Sequence, residues 1–98
     1  MAHTNELPIP PIANSTANSR ELLRVWAAEG KQHVTLATGL WNDPANWGIL
    51  LVDLMKHISN AYEQTSEQTA EECFQRILTG LHAELSHATD EPNVELLH

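Results

Sequence analysis

The sequence predicts an α+β fold in which a β-hairpin is followed by two antiparallel amphipathic helices, in the order ββαα. Three observations predict it. Gly30 divides two short segments of alternating character, Trp41-Asn42-Asp43-Pro44 reads as a helix start, and beyond Pro44 apolar residues recur three and four positions apart as far as Leu85.

The segment from Arg20 to Thr38 admits two readings. Ser19 could cap a helix running to a stop at Gly30, and local propensity alone accepts this. Against it, His33-Val34-Thr35-Leu36-Ala37-Thr38 alternates and is β-branched, and a strand needs a partner for its backbone groups. A turn at Glu29-Gly30 pairs Val25 with Val34 and Leu23 with Leu36 on one face. Arg24 then meets Thr35, and Trp26 meets His33, on the other. One face comes out uniformly apolar, which favours the hairpin.

The first helix is expected from Pro44 to Tyr62. Asn42 or Asp43 accepts from the free N–H groups of the opening turn, and Pro44 supplies a preset φ where no donor is needed. Its inner stripe is Trp47, Leu51, Leu54, Met55, Ile58 and Tyr62. Gly48 costs about 1 kcal/mol relative to alanine, which suggests close backbone contact with a neighbour. Thr65 and Gln68 have the spacing of a capping box for the second helix, whose stripe is Ala70, Phe74, Ile77, Leu78, Leu81 and Leu85. Thr89-Asp90-Glu91-Pro92 should end it.

Three segments follow. Residues 1–18 form a flexible arm containing Pro8, Pro10 and Pro11, residues 19–89 a single α+β domain, and residues 90–98 a frayed tail. Leu7, Ile9 and Ile12 could dock the arm on the domain or on a partner, although a solvated arm is the simpler reading. The two helices should cover one face of the sheet. A two-stranded hairpin is marginal alone and leaves both edges unpaired, so the sheet is expected to be completed by a second copy in a homodimer.

A formal charge of −8, from 13 acidic and 5 basic side chains, repels nucleic-acid phosphate and anionic lipid. Nucleic-acid and membrane partners are therefore not expected. The longest apolar run, Ile49 to Val52, cannot span a bilayer, and the first six residues lack the pattern of a secretory signal. Cys73 is the sole cysteine, so no intrachain disulfide can form. A cytoplasmic location is the expectation.

No catalytic, nucleotide-binding or metal motif is present, and no cofactor is implied. Asp53 and His57 share a helical face, but no nucleophile or third partner stands at a useful spacing, so a solvated pair is the reading. His82 and His87 are five apart, which turns them away from each other, whereas helical zinc pairs stand four apart. Cys73, beside the apolar stripe and after two glutamates, is a packing residue. Arg24 beside Trp26 suits an anionic or planar ligand, although an ion pair or a stack on the indole explains it as well. Trp26, Trp41 and Trp47 could line one pocket or form a core cluster.

Taken together, Glu21-Leu22-Leu23-Arg24-Val25-Trp26, His33-Val34-Thr35-Leu36, Trp41-Asn42-Asp43-Pro44 and Trp47-Gly48 resemble a family of short uncharacterised bacterial proteins classed as a domain of unknown function. The likeness covers approximately residues 19–88. It implies a bacterial cytoplasmic protein and carries no catalytic or ligand residues. The resulting expectation is a non-enzymatic, dimeric protein-interaction module with an unidentified protein partner. Leu22, Arg24, Trp26, His33 and Thr35 supply its contact face. The alternative is a small-molecule binding protein whose pocket, between hairpin and first helix, is lined by Trp41 and Trp47.

Overall fold

Glu29 and Gly30 have φ of +54° and +72°, the two successive left-handed residues of a type I′ turn, whose twist matches that of the strands it joins. In the computed structural model, which describes residues 3–87, this turn joins β1 (Leu23–Ala28) to β2 (Lys31–Leu36). Pairing is antiparallel and its register is the expected one: Leu23 opposite Leu36, Arg24 opposite Thr35, Val25 opposite Val34 and Trp26 opposite His33. The helix alternative for this segment is thereby excluded. The Ala37 N–H donates to the Leu22 carbonyl at 3.0 Å, so even-numbered residues of β1 bond to β2. Leu23, Val25 and Ala27 consequently turn their N–H and C=O groups away from β2, toward an edge that no other strand among the described residues pairs.

Before the hairpin lies a five-residue helix, α1 (Pro11–Ser15), which the sequence reading did not include. Pro11 opens it, where a missing N–H costs nothing. Ser19, considered as a helix cap, closes this segment instead: its single hydroxyl proton is shared between the carbonyls of Ala13, 2.6 Å away, and Thr16, 2.7 Å away.

Chain contacts fall into two compact units, one ending at Thr38 and the next beginning at Gly39, whose φ of +75° suits glycine. The second unit contains α2 (Ala45–Thr65) and α3 (Ala70–Ser86), packed on each other. Asp43 is the acceptor at the start of α2, taking the Ala45 N–H on Oδ1 at 3.0 Å. The cap of α3 differs from expectation. Thr69, rather than Thr65, accepts the Glu72 N–H at 3.1 Å, while Thr65 ends α2 with its hydroxyl on the Ala61 carbonyl. Both threonines stand three residues before a Gln or Glu, so spacing alone did not separate them. Glu63 of α2 adds a second acceptor, binding the Ala70 N–H at 2.7 Å. The stop assigned to Thr89–Pro92 and the tail 90–98 lie outside the described residues.

Burial corrects the assumed helix faces. Met55 and Cys73 are the buried apolar residues and Ser59, 2% exposed, is the buried polar one, among the described residues. The Ser59 hydroxyl is satisfied by the Met55 carbonyl at 2.7 Å. Leu51, Ile58 and Tyr62, assigned to the inner stripe, are 52%, 46% and 52% exposed, and Leu85 is 73% exposed. The space around Gly48 is open as well: an added Cβ would meet nothing within 4 Å, so close packing is not why glycine stands there.

Candidate functional site

On the hairpin, residues alternate between faces, and the register gathers the expected contact residues on one of them. Arg24 lies opposite Thr35 and Trp26 opposite His33, with Leu22 continuing the row beside Ala37. Arg24, Trp26, His33 and Leu22 are half-buried; Thr35 is exposed. His33 also sets its Nε2 3.3 Å from the Ala28 carbonyl. Trp41 and Trp47 belong to the helical unit, where their rings meet edge to face at 5.1 Å and 81°.

The arm supplies partners that the sequence reading missed. Glu6 Oε2 accepts from Arg24 Nη1 at 2.9 Å, and His3 packs its ring against Trp26 at 4.9 Å and 71°. Glu21 takes the other side of the guanidinium in a fork, accepting from Nε and Nη2 at 3.1 Å each. Arg24 is consequently held above the ordinary arginine pKa, first by the hydrogen bond to Glu21 and then by that carboxylate's charge; burial opposes, and Glu6 adds a smaller contribution of the same sign. It stays a cation throughout the neutral range, yet two carboxylates already neutralise it, leaving the cluster with a net charge of about −1. An anionic ligand would have to displace Glu6. Two of the few available signals could have suggested this cluster: Glu6 is the only acid in the arm, and Arg24 is one of only five basic residues.

Arm and strand enclose a groove of 470 Å³ lined by residues 5–10 and by β1, with Leu7, Ile9, Leu23, Val25 and Trp26 as its apolar wall. Leu7 is 84% exposed and Ile9 51% exposed, so polar and aromatic contacts, and not these aliphatic side chains, join the arm to the hairpin. The edge of β1 that faces away from β2, unpaired among the described residues, runs beside this groove. Elsewhere, Asp53 and His57 are exposed on α2, and no three His, Cys, Asp or Glu side chains among the described residues are grouped closely enough to hold a metal ion. No helix among them is long and apolar enough to cross a membrane.

Comparison with known proteins locates this architecture in a family. A solved structure from the photosynthetic bacterium Rhodopseudomonas palustrus CGA009, described provisionally as a pyruvate dehydrogenase, superposes with a TM-score of 0.71 at 32% identity, covering all of both chains. No curated protein matches. The model of the family described as Domain of unknown function (DUF5076) matches residues 6–89, taking in Glu6 and most of the arm, which the resemblance noted from sequence left out. The chain belongs to the DUF5076 family.

Proposed function

We propose that this protein is a non-enzymatic, dimeric protein-interaction module whose contact surface is the Arg24–Trp26 face of the hairpin together with the arm. The observation that carries this reading is the groove between arm and β1, where exposed Leu7 and Ile9 stand beside backbone groups of Leu23, Val25 and Ala27 that have no partner among the described residues. Such an edge recognises an extended peptide by main-chain hydrogen bonds, and flanking apolar walls select its side chains. The neutralised guanidinium argues against a free anion as ligand. The description attached to the Rhodopseudomonas structure supplies no residue that can be mapped onto a role here, and a shared fold does not carry an activity with it.

The test is affinity capture with the full chain beside Arg24→Glu and Trp26→Ala. A single protein retained by the wild type and lost from both variants supports the module. Stabilisation by a metabolite in a thermal-shift screen, abolished by Trp41→Ala or Trp47→Ala, would replace it with a small-molecule binding protein.

A further inference from the structure

Along α2, the residues Trp47, Leu51, Leu54, Ile58 and Ala61 alternate steps of four and three, the repeat of a helix–helix seam. Much of it is open: Leu51, Ile58 and Ala61 are exposed, and Trp47 and Leu54 are half-buried. The buried residues of α2 are Met55 and Ser59, each one position beyond Leu54 and Ile58 and therefore about 100° further round the helix. Leu51 and Ile58 remain about half exposed, as does Tyr62 on the flank.

We propose that a second copy of this chain seats its own α2 on this seam, so that two α2–α3 pairs form a four-helix bundle. The proposal rests on the dimer in the function proposed above and moves the copy–copy contact from the hairpin to the helices.

Charge and area both indicate this occupant. The positions flanking the seam are Leu50, His57 and Gln64 on one side and Gly48, Met55 and Tyr62 on the other, with no carboxylate or ammonium among them. Flanking charges are what select a different chain in such seams, and here none does so. Asp53, Lys56 and Glu63 lie on other faces, so two acidic copies meet across a strip free of carboxylates. Taking roughly 200 Å² for a large side chain, Leu51, Ile58 and Tyr62 expose about 300 Å² per copy; half-covered Trp47, Leu50 and Leu54 bring this to about 450 Å². Two copies supply about 900 Å² of apolar surface. At the roughly 65% apolar share of homodimer contacts this corresponds to a total near 1,400 Å², within the roughly 1,200–2,000 Å² of stable interfaces.

Light scattering on the full chain at micromolar concentration tests it. The wild type should have the mass of two copies, and Leu51→Glu/Ile58→Glu the mass of one with helicity retained by circular dichroism. Should the double variant unfold, Leu51→Ala and Ile58→Ala decide, each expected to raise the dimer dissociation constant about tenfold. Lys56→Glu, off the seam, should remain dimeric. Val25→Pro removes an outward N–H of β1 without touching the ladder to β2. If Val25→Pro dissociates the dimer while the seam variants do not, the contact lies on the hairpin and the seam is overturned, although the dimer stands. A wild type that is monomeric at micromolar concentration overturns both.

Discussion

One chemical change, glycine to alanine, should shift stability in opposite directions at two open positions of this chain. Gly80 lies well inside α3 with nothing within 4 Å of an added Cβ, and Gly30 is equally open, but at φ of +72°. At Gly80 only the backbone decides. Alanine restricts the unfolded chain and favours the helix, worth about 0.8–1 kcal/mol. With about 4–8 °C per kcal/mol for a chain of this size, the midpoint of thermal unfolding should rise by about that amount. At Gly30 the same methyl group meets no neighbour either, yet an L-residue is disfavoured in the left-handed region by about 1–2 kcal/mol, so Gly30→Ala should lower the midpoint by about 4–16 °C. Both variants are to be compared with wild type at one protein concentration, since self-association would make the midpoint concentration-dependent. A Gly80→Ala protein no more stable than wild type would refute the premise that solvent, rather than another chain, lies over that part of α3.

Two further outcomes follow from the same geometry. Glu29 adopts φ of +54°, which asparagine tolerates better, so Glu29→Asn should stabilise by about 0.5–1 kcal/mol; urea unfolding measures this, and a loss of stability would contradict the type I′ assignment. Met55, 7% exposed at the contact of the two helices, should cost about 2–5 kcal/mol when changed to alanine, whereas Leu85→Ala, at a side chain 73% exposed, should stay within about 0.5 kcal/mol. Equal losses at the two positions would mean that Leu85 is covered in solution.

Family membership widens the part of the chain that matters. The matched region begins at residue 6, so Glu6 and the Pro-rich stretch stand inside it alongside the hairpin that Glu6 touches. The isolated chain buries few large apolar side chains among the described residues, and those it leaves exposed are concentrated on α2 and the arm. Both are the surfaces on which the proposals above depend.

Local rules made the hairpin legible, because strand alternation and a turn at Gly30 together leave one register that puts Val25, Val34, Leu23 and Leu36 on a common face. They also placed the start of α2 at Asp43-Pro44, where a side-chain acceptor and a residue without an N–H meet the needs of a first helical turn. The candidate site was legible only as a row of hairpin residues. Its arm-side partners Glu6 and His3 lie 18 and 23 positions from Arg24 and Trp26, beyond any local pattern. Which arc of α2 turns toward α3 was equally out of reach. Its apolar stripe is wider than one neighbour can cover, so periodicity marks the whole arc as burial-competent without choosing a side. Packing chose the Met55–Ser59 side, and buried a serine whose hydroxyl its own helix satisfies. Residue order thus determined the elements and the strand register, through interactions spanning a few positions. The tertiary structure decided the helix face, the cap from Glu63 and the clasp on Arg24, because each depends on groups that only the folded chain brings within hydrogen-bond or van der Waals reach.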